Sequence, residues 1–164
     1  MIGRNPESTL VSMCDIKPKA ELSLANNELP FFSSVEDLFH SGLEFDVVSV
    51  CTPNGLHAEH TLKVLEHKKH VVIEKPMALT VADCEKIIFK ALQVSRQVFC
   101  VMQNRYSPPS VWIKEVIEGG ILGRIFQVQL NCYWNRDNRY YTGKNWKGSG
   151  DLDGGTLFTQ FSHF

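Results

Sequence analysis

The chain has 164 residues, 43% hydrophobic and 21% charged, with a formal net charge of −1, which is ordinary soluble globular composition and enough chain for one sizeable core. Near-neutral charge removes the electrostatic case for nucleic acid or an acidic membrane surface, and no apolar run approaches the roughly 18–20 residues that span a bilayer. The opening MIGRNPESTL lacks the apolar core of a secretory signal, and five cysteines, odd in number and without a C-x-x-C pair, point to a reduced, cytoplasmic setting.

TLVSMCDI (9–16) reads as a strand ending in an acid. FFSSVEDLFHSG (31–42) supplies a short strand, a capping box at Ser33 and Glu36, a helix, and Gly42 as its stop. FDVVSVCTP (45–53) is a strongly apolar strand closed by Pro53. GLHAEHTLKVLEHKK (55–69) is a helix with Leu56, Leu62 and Leu65 on its apolar spacing. HVVIEKP (70–76) is a strand whose Val71, Val72 and Ile73 read as buried on both faces. TVADCEKIIFKALQVSR (80–96) is a helix with Thr80 as N-cap, QVFCVMQNRY (97–106) a strand, and SPPSVWIKEVIEGG (107–120) a helix capped by Ser107. Cys14, Cys51 and Cys100 fall inside the strand-like runs, where a free thiol packs as a small hydrophobe.

Strands alternating with helices at this spacing predict an α/β fold with a parallel, doubly wound sheet of Rossmann type. After residue 120 the style changes. GRIFQVQLNCYW (123–134) alternates like a long strand, 135–155 is a polar, aromatic and glycine-rich loop, and TLFTQFSHF begins a further helix. The expected division is a nucleotide-binding domain over 1–106 and the beginning of a second, α/β substrate domain over 107–164.

Ligands of doubly wound sheets bind at the carboxyl ends of the strands. Those ends carry Asp15, then Thr52-Pro53-Asn54, then Glu74-Lys75-Pro76, then Gln103-Asn104-Arg105. Each signal has a plain alternative. Asp15 suits a ribose diol or a turn before Lys17-Pro18. Thr52 to Asn54 suit a ligand edge or a turn with an N-cap. Glu74 and Lys75 are a solvated pair, or else Lys75 is desolvated into the range that acid–base chemistry uses. No His/Cys pair has metal-ligand spacing, so no metal is expected. No G-x-G-x-x-G turn occurs, and the only glycine before Gly42 is Gly3. The first strand has the look of the second strand of a dinucleotide-binding unit.

CTPNGLHAEH and HVVIEKPMALT, followed in order by QNRYSPP and GGTLFTQFSH, resemble the glucose–fructose oxidoreductase, inositol dehydrogenase and MocA (Gfo/Idh/MocA) family over residues 9–164. QNRYSPPSVW, NCYWNRDNRYYT and DLDGGTLFTQFSHF are similar to its branch of UDP-N-acetyl-2-amino-2-deoxyglucuronate dehydrogenases. The resemblance implies an oxidoreductase using NAD, with substrate between a Rossmann domain and a second α/β domain. It implies catalytic roles for Lys75 and for His163 as the base. It assigns Asp15, Thr52, Pro53, Asn54, His57, Glu74, Lys75, Gln103 and Asn104 to the cofactor. Pro76 fixes a turn that is often cis in the family. Histidine chemistry suits removal of a hydroxyl proton near neutral pH, and a nearby ammonium stabilises a developing alkoxide. His40, His60, His67 and His70 are read as surface or helix-end residues without a role.

The implied substrate is a UDP-linked acetamido-hexuronate oxidised at its 3-hydroxyl, in surface polysaccharide biosynthesis. Arg105, Arg136, Arg139, Tyr140, Lys144 and Trp146 are candidates to hold it, through stacking and pairing with carboxylate or phosphate; an exposed polar loop has the same composition. Thr159 stands where many members carry an acid one turn before the histidine, which argues against the inositol type and leaves Thr159 on the substrate side. Asp15 disfavours a 2′-phosphate while Lys17 and Lys19 could answer one, so NADP stays beside NAD. The expected partners are a small sugar or sugar-nucleotide substrate and, at full length, further copies of the chain. The missing glycine turn and the end one residue past His163 raise the expectation of a chain truncated at both ends. Two other readings remain: a dehydrogenase of a different sugar or polyol, and a non-catalytic remnant that acts as a binding module.

Overall fold

The computed structural model describes residues 2–24, 28–142 and 146–160. The chain forms two compact units, Met1–Asp46 and Val47–Phe164. Both are α/β with parallel strands.

In the first unit β1 (Met13–Cys14) pairs in parallel with β2 (Phe31–Phe32), Met13 opposite Phe31. The expected strand over 9–16 is thus a ladder of two residues, because 9–12 find no partner among the described residues. A 3-10 turn at Lys19–Glu21 follows β1, and α1 (Val35–His40) follows β2. Its cap is Ser34, not Ser33: Ser34 holds extended backbone (φ −139°) and its hydroxyl accepts from the Asp37 amide at 3.0 Å. The helix buries Leu38 and exits at Gly42, whose φ of +74° needs a residue without Cβ.

In the second unit β3 (Val47–Val50), β4 (His70–Ile73) and β5 (Val98–Cys100) form a parallel sheet in the order β3-β4-β5. Two helices make the crossovers, α2 (His57–Glu66) and α3 (Val81–Gln93). The register sets Val48 beside Val71 and Val50 beside Ile73, so one sheet face presents an unbroken apolar surface to the helices. Val71, Ile73, Leu65 and Ile87 are completely buried, each worth about 1.5–3 kcal/mol of transfer free energy. The other face carries Val47 and Phe99, 47% and 56% exposed, and a half-buried Val72. Burial of β4 on both faces is therefore corrected to burial on one, since the described helices of this unit cover that face alone.

The core stripe of α2 is also shifted. It runs through His57, Thr61, Val64 and Leu65, and apolar counting misses it because two of those residues are polar. α3 begins at Thr80, whose hydroxyl accepts from the Asp83 amide at 3.1 Å. The expected strand over 97–106 ends at Cys100 and becomes a 3-10 turn at Gln103–Tyr106. α4 (Pro108–Glu118) starts with proline at its first position, as expected. The expected strand over 123–134 is not one: among the described residues it has no ladder, and Phe126 and Val128 stand 85% and 80% exposed. Alternation supplies two faces, but a strand also needs a neighbour for its backbone groups. Three single-turn helices follow, α5 (Asn138–Tyr141), α6 (Gly150–Asp153) and α7 (Thr156–Thr159). Cys14 and Cys51 are exposed instead of packed, one in a two-residue strand and the other just past β3. Among the described residues no helix is long and apolar enough to cross a membrane.

Candidate active site

The carboxyl ends of β3 and β4 lie side by side. Beyond β3 the chain runs through Thr52 and Pro53 into a 3-10 turn at Asn54–Leu56, directly before α2. Beyond β4 it runs through Glu74, Lys75 and Pro76, and the Lys75–Pro76 peptide is cis. The Glu74 amide donates to the Val50 carbonyl at 2.9 Å and extends the ladder one residue past β4.

Lys75 is half-buried, and its ammonium donates to the Thr159 carbonyl at 2.9 Å. Burial lowers its pKa below the usual 10.5; the Glu74 carboxylate opposes that, the Arg136 guanidinium adds to it, and the Asp153 carboxylate opposes it. The lysine is thus a partly desolvated cation with charges of both signs around it, unlike a solvated surface pair. Such a group holds a proton at a sheet edge and gives it up more readily than a free lysine.

α6 and α7 close on this edge. The buried Asn54 amide donates to the Asp153 carbonyl at 2.9 Å. Gly55 lies so near that a Cβ there would meet the Asp151 carbonyl oxygen at 2.0 Å. Asp153 is itself buried and accepts from the Gly148 amide at 2.8 Å. Between α6 and α7, Gly154 and Gly155 take φ of +81° and +86°, which only glycine adopts freely.

Each expected residue has a definite place. Thr52 is half-buried, with its hydroxyl 3.0 Å from His60 Nδ1. His57 is 1% exposed, with Nδ1 2.7 Å from the Pro76 carbonyl and Nε2 2.7 Å from the Thr52 carbonyl, so it touches its surroundings through backbone. The Thr159 hydroxyl donates to Gly155 within α7, leaving the backbone carbonyl as the group that reaches Lys75. Gln103, Asn104 and Arg105 occupy the turn after β5, where Gln103 and Arg105 are exposed. Trp146 accepts from the Ser149 amide through its carbonyl. Asp15, in the first unit, accepts from the Lys17 amide at 2.8 Å, a turn bond that holds its carboxylate at the end of β1. Lys19 donates to the Leu29 carbonyl at 2.9 Å. His163 and Lys144 lie outside the described residues.

Tyr140 belongs to an open cleft of about 360 Å³ lined by Trp134, Arg136, Asp137 and Arg139 among others. The Arg136 guanidinium lies 4.6 Å from the Trp134 ring centre and 4.2 Å from that of Tyr140, and donates to the Gln160 side-chain oxygen at 3.0 Å. The other terminal nitrogen donates to the Tyr140 hydroxyl, so both ends of the guanidinium are held. Arg139 is instead paired with Asp137.

Sequence reasoning did not single out Asp153, which anchors the turn at Gly148, and read His60 as a surface or helix-end residue, whereas it lies against the Thr52 hydroxyl. The Asp-Gly-Gly run was a usable sign for the first, since an acid before paired glycines has a fixed turn to act from. The three-residue spacing of His57 and His60 was a sign for the second.

Residues 1–102 match the Gfo/Idh/MocA oxidoreductase family, with its NAD-binding Rossmann fold. The WlbA dehydrogenase of Bordetella pertussis, solved in complex with NADH and UDP-GlcNAcA, is 34% identical, with a TM-score of 0.90 over 99% of this chain and 47% of its own. The WlbA dehydrogenase of Chromobacterium violaceum, solved with the same two ligands, is 30% identical, with a TM-score of 0.87 over 95% of this chain and 45% of its own. A 1-carboxy-3-chloro-3,4-dihydroxycyclohexa-1,5-diene dehydrogenase of Comamonas testosteroni is 32% identical over 73% of this chain and 30% of its own length. The chain therefore spans less than half the length of each of these proteins.

Proposed function

The chain belongs to the Gfo/Idh/MocA family of oxidoreductases with an NAD-binding Rossmann fold, and on that premise we propose that it serves an NAD-dependent dehydrogenase that oxidises a sugar hydroxyl. The observation that carries the reading is the lowered, half-buried Lys75 ammonium at the end of β4. The substrate best supported is a UDP-linked acetamido-hexuronate oxidised at its 3-hydroxyl, in surface polysaccharide biosynthesis. Two WlbA structures of at least 30% identity hold UDP-GlcNAcA with NADH, and Arg136 supplies a cation for a carboxylate beside the Trp134 and Tyr140 rings. The enzyme would work in the cytoplasm as a homo-oligomer.

The residue types at the strand ends suit the nicotinamide side of NAD. Glu74, Gln103 and Asn104 carry donors and acceptors for ribose hydroxyls and a carboxamide, beside Thr52 and Asn54, which are engaged with His60 and Asp153. In the first unit Asp15 carries an acceptor for a diol. The pyrophosphate turn has no counterpart among these 164 residues. When bound, NAD accepts the hydride from the alcohol carbon.

Lys75 donates a hydrogen bond to the reacting oxygen and stabilises the negative charge that grows there. His163 takes the hydroxyl proton as general base. Arg105, Arg136, Tyr140 and Trp146 hold the carboxylate, diphosphate or base, and the Thr159 carbonyl keeps the ammonium in place until substrate arrives. Residues 1–106 form the nucleotide-binding domain and 107–164 begin the substrate domain. A second reading keeps this chemistry on another ring hydroxyl, favoured by the likeness to a dehydrogenase of a non-sugar diol.

The test is absorbance of NADH on mixing the protein with NAD and UDP-GlcNAcA, inositol, or a free glucoside. Turnover of the UDP-sugar alone supports the reading, and turnover of the others alone moves it to the second. A thermal shift with NAD but no turnover of any substrate leaves a binding module.

A further inference from the structure

We infer that His57 is a positioning residue for Lys75, its ring replacing the β-ladder at the point where Pro76 interrupts it. The inference rests on the role proposed for Lys75. In the parallel ladder between β3 and β4 the Glu74 amide donates to the Val50 carbonyl. The pattern repeats every second residue, so the next donor would be the amide of residue 76, and its acceptor the carbonyl of Thr52. Residue 76 is proline and has no N–H. The Thr52 carbonyl is taken instead by His57 Nε2 at 2.7 Å, and the Pro76 carbonyl by Nδ1 at 2.7 Å. One ring thus joins the two strand ends across the gap that the proline leaves, with Lys75 immediately before it.

The chemistry of the contacts is restrictive. Both ring nitrogens face carbonyl oxygens, which only accept, and at 1% exposure the ring has no solvent partner in their place. The surroundings hold the bridge fixed: His57 opens α2 with Val64 and Leu65 packed in the core behind it. Without the ring nothing joins the strand ends past Glu74 among the described backbone bonds. The turn carrying Lys75 would then swing away from the Thr159 carbonyl. The charges that bear on Lys75 from its own turn, from the 134–140 segment and from α6 are Glu74, Arg136 and Asp153, and none of them is altered by replacing His57.

The test has two parts. In nitrogen-15 NMR spectra of the unmodified protein, a ring N–H of His57 is expected to be protected from exchange with solvent. A ring N–H that exchanges freely overturns the bridge, and this readout needs no variant. In parallel, acetylation of Lys75 by acetic anhydride is followed across pH by mass spectrometry in the wild type, His57→Asn and His57→Gln. His57→Asn is expected to move the labelling midpoint up toward that of a free lysine. His57→Gln, whose amide still reaches one carbonyl, falls between the two. A folded His57→Asn with the wild-type midpoint overturns the inference. If NAD-dependent turnover is absent while the midpoint moves, the dehydrogenase reading fails and the positioning of Lys75 stands.

Discussion

Replacing Gly55 by alanine should loosen the contact between the turn after β3 and α6. A Cβ at this position lies 2.0 Å from the Asp151 carbonyl oxygen and 3.0 Å from both the Asp151 carbonyl carbon and Leu152 Cα. All three obstacles are backbone atoms, so no side-chain rotation relieves the clash. Either the backbones separate while α6 stays docked, at the roughly 1–3 kcal/mol typical of overpacking, or α6 lifts off. Lifting removes the Asn54–Asp153 bond, worth about 0.5–1.5 kcal/mol, together with the apolar contact around it. The molecule follows the cheaper route, and a loss of about 1–3 kcal/mol is expected. For a chain of this size that is a fall in Tm of roughly 2–12 °C. Gly150→Ala is the control, since its Cβ would meet nothing within 4 Å. Thermal melts of both variants, with hydrogen exchange at the Asp153 amide that bonds Ser149, measure the effect. A Gly55→Ala variant that melts with the wild type and keeps that amide protected would refute the close approach.

Four further outcomes are expected. Thr61 is completely buried and its hydroxyl has no partner among the described residues; Thr61→Val should raise stability by up to about 1–3 kcal/mol, the cost of an unmet buried polar group, as read by urea denaturation. Thr80→Ala should lower stability by about 1 kcal/mol through loss of the α3 cap, with amide hydrogen exchange rising most in the first turn of that helix. Leu65→Ala, fully buried, should cost about 2–5 kcal/mol, while Leu92→Ala, 74% exposed, should stay within about 0.5 kcal/mol; equal midpoints for the two would contradict the placement of the core. Because the folded pKa of Lys75 lies below its usual 10.5, the unfolded chain binds the extra proton between the two values. That contribution makes stability rise with pH across this window, and the rise should vanish from the urea midpoints of Lys75→Met.

The α/β character was legible because β-branched runs and helical spacing agree with one another over 45–100. Strand ends were less so: the ladder over 9–16 shrank to Met13 and Cys14 because pairing, not propensity, sets its length. The 123–134 segment shows the same limit, as alternation of Ile125, Val128 and Leu130 specifies faces and says nothing of a neighbour. At the candidate site the residue types at the ends of β3 and β4 were legible from their polarity beside apolar runs. Which atoms they use was not, because His57 and Thr159 act through backbone carbonyls, and a carbonyl has no letter of its own in the sequence.

The two bonds that join α6 and α7 to the strand ends also set an order of assembly. Asn54 reaches Asp153 across 99 residues and Lys75 reaches Thr159 across 84, whereas β3, β4 and β5 are complete by Cys100. At about 5–20 residues per second of synthesis, roughly 5–20 s pass between the appearance of Asn54 and that of its partner. In the later part of that interval, once Cys100 has been made, a nascent chain can hold a paired sheet whose lysine is not yet restrained. Long-range closure comes late in folding in any case. Lys75 is therefore held still only after the sheet that carries it is complete.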